Sequence, residues 1–120
     1  MIVLRLAAVA LAGALPFAAA AQDAEVSFWL KGDPKNIQGC ISMDSAFTRE
    51  HTFKMVNGQA ELKSAGGINV KLKQRANGVY TGEWELGRTH LNIVANTASQ
   101  PRMLTVTTQN LGCKWSAVKE

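Results

Sequence analysis

After residue 24 the chain alternates between apolar and polar side chains almost throughout, and Gly, Asn and Pro punctuate the alternation. A period of two is the signature of strands with one buried and one wet face. The pattern predicts strands over residues 25–31, 36–43, 52–56, 59–64, 68–74, 79–86, 90–96, 103–109 and 112–118. The only stretch that reads as a helical turn is 44–49, where Asp44 or Ser45 can cap.

Two Asn-Gly pairs set the register differently. Asn57-Gly58 fits a two-residue hairpin loop. Val56 then faces Gln59, Met55 faces Ala60, Lys54 faces Glu61 and Phe53 faces Leu62. A two-residue loop at Asn77-Gly78 would set Lys71 opposite Trp84. A three-residue loop, Ala76-Asn77-Gly78, removes the conflict and puts Gly78 at the left-handed position of a bulge. Ile68 then faces Leu86, Val70 faces Trp84 and Lys71 faces Glu83. Through the Ala65-Gly66-Gly67 loop, Leu62 pairs with Val70 and Glu61 with Lys71. Lys54, Glu61, Lys71 and Glu83 form one outer row of alternating charge. Further on, Leu86 is expected against Leu91, Trp84 against Ile93, Val106 against Trp115 and Leu104 against Ala117.

A meander with one apolar face must cover that face. The expectation is an all-β fold: a small antiparallel meander barrel of eight to nine strands. A two-sheet β-sandwich is the second choice. Closure is favoured because it removes exposed edges.

Composition sets the N-terminus apart from the rest of the chain. Residues 1–21 hold 18 apolar side chains and one charge, Arg5. Arg5, an apolar run from Leu6 to Leu15, Pro16 and Ala19-Ala20-Ala21 read as a secretory signal peptide cleaved before Gln22. The run is shorter than a membrane span requires, and the lipoprotein-like Leu11-Ala12-Gly13 is followed by Ala14 instead of cysteine. The division is therefore a leader over 1–21 and a single domain over 22–120, periplasmic or secreted, bacterial in style, with no stable membrane anchor. The mature chain has a net charge of +3 and two cysteines, Cys40 and Cys113. Export favours a disulfide between them. The chain-entropy model values its 73-residue loop at roughly 4.4 kcal/mol.

Candidate chemistry is sparse. His51 and His90 are the only histidines, and neither lies in a metal-ligand or catalytic motif. No catalytic residue, metal site or cofactor is assigned. A His51 base with Ser45 or Thr48 as nucleophile is the weakest reading. The stripe Lys71, Lys73, Arg75 falls on the outer face while Tyr80 and Trp84 fall on the inner one. Single-stranded nucleic-acid sites interleave the two, so the stripe reads as a solvated face and no nucleic-acid partner is expected.

The longest stretch without strand pattern is 42–51, SMDSAFTREH. It is either a contact loop carrying Asp44, Phe47, Arg49, Glu50 and His51, or a crossover plug with Phe47 sealing the barrel. Val26, Phe28 and Leu30 take one face of the first strand, which leaves Trp29 outside as a candidate interface anchor. Met103 and Val94 extend that outer face. The function expected is a non-catalytic exported binding protein, an inhibitor or partner of an envelope or secreted protein, using Trp29 and the 42–51 loop. The alternative is a carrier with a small apolar ligand inside the barrel, and a hydrolase comes third.

Overall fold

The computed structural model describes residues Glu25–Glu120. The leader assigned to residues 1–21 and its cleavage point lie outside the described residues. The chain forms β1 (Glu25–Trp29), β2 (Lys31–Gly32), α1 (Gln38–Ile41), α2 (Asp44–Phe47), β3 (Glu50–Val56), β4 (Gln59–Lys63), β5 (Asn69–Ala76), β6 (Val79–Leu86), β7 (Thr89–Asn96), β8 (Arg102–Thr108) and β9 (Lys114–Lys119). The sheet order is β1-β3-β4-β5-β6-β7-β8-β9-β2, antiparallel throughout.

The two ends of that order meet in one piece of chain. β1 pairs with β3, and β2 pairs with β9. Only Leu30 separates β1 from β2. Its side chain is fully buried and its N–H donates to the Arg49 carbonyl at 3.1 Å. The first strand thus changes partner at Leu30 and carries the sheet round into a nearly closed barrel.

The inward rows form the core: Val26, Phe28 and Leu30 from β1 and its end, Phe53, Leu62, Leu72, Trp84, Ile93, Val106 and Trp115, all at most 9% exposed. The β3–β4 register is the expected one, with Asn57 (φ 52°) and Gly58 (φ 79°) making the turn. The β4–β5 and β8–β9 pairings also follow the pattern.

Three local expectations are corrected. Residues 36–43 are not a strand. α1 lies there, with Ile37 and Ile41 exposed and Cys40 buried. The strand is unnecessary because Asn36 supplies its hydrogen bonds from a side chain: Nδ2 donates to the Lys114 carbonyl and Oδ1 accepts from the Lys114 N–H, both at 2.9 Å. The β6–β7 register is shifted by two, so Trp84 pairs with Leu91 and Leu86 with Thr89. Gly87, at φ 64°, closes a two-residue loop. An even shift leaves every side chain on its expected face.

The β5–β6 ladder has the expected register at Lys73–Thr81 and Gln74–Tyr80, with a bulge between Gln74 and Ala76. It stops there, so Ile68–Leu86, Val70–Trp84 and Lys71–Glu83 are not ladder pairs. A Cβ at Gly82 would lie 2.6 Å from Leu72 Cδ2 and 3.0 Å from the Lys71 carbonyl oxygen. Glycine here permits the close crossing that turns the barrel's corner. The charged outer row is accordingly Glu25, Lys54, Glu61, Lys71.

Cys40 and Cys113 form a disulfide, with Cα atoms 5.7 Å apart. It joins α1 to the start of β9. Such a bond marks a compartment outside the reducing cytosol. Among the described residues, no helix is long and apolar enough to cross a membrane.

Candidate functional site

The six residues singled out around the 42–51 loop separate into two groups of three. Asp44, Phe47 and His51 build the plug at one end of the barrel. Trp29, Arg49 and Glu50 stand on its outer surface.

The plug is a network of aromatic contacts and satisfied polar groups. Phe47 is fully buried at the end of α2. Its ring meets Trp84 edge-on at 5.2 Å and lies tilted on Trp115 at 4.6 Å. Trp115 Nε1–H donates to Asp44 Oδ1 at 2.9 Å, which fixes α2 over the core. The Thr48 hydroxyl donates to the Asp44 carbonyl at 2.6 Å and ends the helix. His51 is 1% exposed. Its Nε2 lies 3.0 Å from the Phe47 carbonyl, and its Nδ1 lies 3.4 Å from the Ala65 N–H. A carbonyl needs a donor and an N–H needs an acceptor, so this pair assigns the neutral ring protonated at Nε2. Burial holds the His51 pKa below its ordinary value. The bond to Phe47 opposes that shift, and the nearby Arg49 charge adds to it. Both ring nitrogens are engaged in structure, and Ser45 and Thr48 make no hydrogen bond to them.

The surface group is arranged differently. Trp29 is 61% exposed and sits directly across from Glu50 in the β1–β3 ladder. It forms a ridge between two open grooves. One, about 580 Å³, runs over β3 and the β4–β5 loop past Arg49, Glu50, Lys63 and Ala65. The other, about 540 Å³, lies over the seam where β1 and β9 approach without a ladder. Its apolar walls are Trp29, Met103, Ala117 and Val118, and its charged rim includes Lys31, Asp33, Glu50 and Lys119. Met103 and Val118 are cross-strand partners, 41% and 57% exposed.

Backbone parity adds to the seam. The Leu30-to-Arg49 bond makes Leu30, Phe28 and Val26 the residues whose main-chain groups point at β3. The N–H and C=O of Ser27 and Trp29 therefore point at the seam, beyond the last β2–β9 pair, Lys31–Ser116.

Val118 joins this surface without having been singled out from sequence. Alternation from the inward Trp115 was the signal for it. Val94 is exposed but lies on another concavity with Lys71, Lys73 and Arg75. Arg75 Nε donates to Thr81 Oγ1 there at 2.9 Å. Among the described residues, the one contact within 4.0 Å between a basic nitrogen and a side-chain carboxylate is His90 Nδ1 to Glu85, at 3.2 Å on the exposed β6–β7 hairpin. No group of three His, Cys, Asp or Glu side chains among the described residues is placed to hold a metal ion.

The middle of the barrel is occupied by Phe28, Phe53, Leu62, Trp84, Ile93 and Trp115. Space for a small molecule lies at the end opposite the plug. Comparison with protein-family models, curated proteins and solved structures gives no match to this chain.

Proposed function

We propose that this chain is a small, non-catalytic binding protein, exported to the periplasm or secreted, that engages a protein of the cell envelope or its surroundings through the groove beside Trp29. One observation carries the reading. Three exposed apolar side chains from β1, β8 and β9 converge on one groove, although they are far apart in sequence. A scattered exposed apolar residue needs no explanation, but a contiguous patch with a polar rim does. Tryptophan is the residue type most favoured at the energetic centre of protein interfaces. Lys31, Glu50 and Lys119 supply the polar rim that such centres carry. An inhibitor is the form of this reading in which the covered surface is a partner's own working site.

A photo-crosslinking side chain at Ser27, on the groove rim, tests it against an envelope extract. The expected result is a discrete crosslinked protein whose yield falls about thirtyfold or more in Trp29→Ala, the loss that removing a hot-spot aromatic gives. Folding stability of that variant should change by no more than about 0.5 kcal/mol, since the side chain is exposed. Undiminished crosslinking in Trp29→Ala would reject the groove.

A further inference from the structure

We propose that the partner enters the groove as an extended segment of chain, which adds to the free edge of β1 as an antiparallel strand and alternates apolar with small side chains. This rests on the groove beside Trp29 being the docking site, and it names the form of what docks there.

Main-chain pairing along the seam stops before the strands do. β2 and β9 pair at Gly32–Trp115 and Lys31–Ser116, and the ladder ends there. Carried on, the same register would set Trp29 against Val118, but no such pair forms. β1 has given the main-chain groups of Val26, Phe28 and Leu30 to β3. Those of Ser27 and Trp29 have no partner in either ladder. On the other bank, Lys114 turns its N–H and C=O toward Asn36 and Asp33. By alternation Ser116 and Val118 face the same way, so the Val118 groups also border the seam.

Two N–H and two C=O groups therefore line one edge of β1, repeating every two residues or about 6.8 Å. An extended peptide repeats its own donors and acceptors at that spacing, which is the basis of strand addition to an open edge. Side chains then set the sequence. Residues directly opposite in an antiparallel pair point to the same face. The residue opposite Trp29 points outward, where Trp29, Met103 and Val118 wall the groove, so it is apolar. Its neighbours point inward, where Phe28, Leu30 and Leu104 are at most 1% exposed, so only small side chains fit. Lys31 and Lys119 on the rim are balanced by Asp33 and Glu50, and the segment needs no net charge.

The probe is a capped heptapeptide of alternating valine and serine, titrated into the oxidised protein and followed by amide NMR. Binding should be saturable and should slow hydrogen exchange at the Ser27 and Trp29 amides. The Phe28 amide, already turned to β3, is the internal reference. N-methylation of the valines removes the N–H groups that face β1. It should weaken binding roughly thirtyfold or more, as loss of two main-chain hydrogen bonds implies. N-methylation of the serines, whose N–H groups face away from β1, should leave most of the affinity. Ser27→Pro deletes the seam-facing N–H while the β1–β3 bonds remain, and should weaken binding roughly tenfold. Ser27→Ala keeps that N–H and should bind as wild type does. The two methylated peptides are compared on wild type, so a folding defect in Ser27→Pro cannot mask the answer. No saturable binding at millimolar peptide, equal weakening by the two methylation patterns, or shifts at the Trp29 indole without protection of its amide would each overturn strand addition. Each of those results leaves the groove itself standing, because the groove is tested by the loss of the Ser27 crosslink in Trp29→Ala.

Discussion

The two ends of the barrel are made from the same inward rows, yet one is sealed and the other is a cup. At the sealed end, the crossover at residues 33–49 delivers α1, α2, the Phe47 ring and the Cys40 half of the disulfide. At the open end the strands are joined by the turns at Asn57-Gly58 and Asn77-Gly78 and by the loop at 97–101. Tight turns bring no side chain large enough to cover a core. The strands therefore decide the barrel, whereas the connections decide which end stays open. It also explains why the 42–51 stretch, the most function-like segment by composition, gives three of its five candidate residues to packing.

The largest expected effect breaks the seal. Phe47→Ala removes a fully buried ring that touches both Trp84 and Trp115. The expected loss is about 3–5 kcal/mol of unfolding free energy, measured by urea denaturation. At the open end Met55→Ala should cost clearly less, because that side chain is only half-buried. Equal losses at the two ends would remove the distinction drawn between them.

Next comes the staple. Cys40→Ser with Cys113→Ser should cost about 2–5 kcal/mol by the same measurement. Both sulfurs are buried at the sealed end. The loss should therefore be non-additive with Phe47→Ala, as neighbouring sites are, and additive with Met55→Ala. Additivity with both would mean that the bond acts on the whole chain and not on one end.

Much of this architecture was legible in residue spacing, and the exceptions have physical reasons. Pairing across Asn57-Gly58 is fixed by the turn type, so one reading satisfied both the loop and the apolar faces. Across Gly87-Arg88 the pattern accepts either Trp84–Ile93 or Trp84–Leu91, since an even slip keeps both on the inner face. Only the positive φ of Gly87 separates them. The segment at 36–43 alternates like a strand, but the Asn36 amide meets β9's hydrogen-bonding groups first. Outward placement of Trp29 follows from alternation alone. The grooves on either side do not, because they depend on the change of partner at Leu30.

The smallest effect concerns His51, and it asks whether the seal responds to pH. The ring is neutral in the plug, with Nδ1 accepting from Ala65 and Nε2 donating to Phe47. Its pKa in the folded chain lies below the ordinary 6.5, chiefly through burial. Once unfolded, the same ring titrates near the ordinary value of about 6.5. Below that pH the unfolded chain binds the proton more readily than the folded one, so folding weakens. The stabilising contribution is whole above about 6.5 and is lost as pH falls through the folded pKa. Protonation at Nδ1 also sets a donor against the Ala65 N–H. His51→Gln should flatten that part of the stability-against-pH curve, whatever it does to the absolute value. A wild-type curve that does not fall below pH ~6.5, or a His51 ring resonance that titrates at or above the ordinary value, would show that the imidazole is not held neutral by the core. In Met55→Ala, which alters only the open end, the slope should match wild type, and that match would locate the pH response at the sealed end.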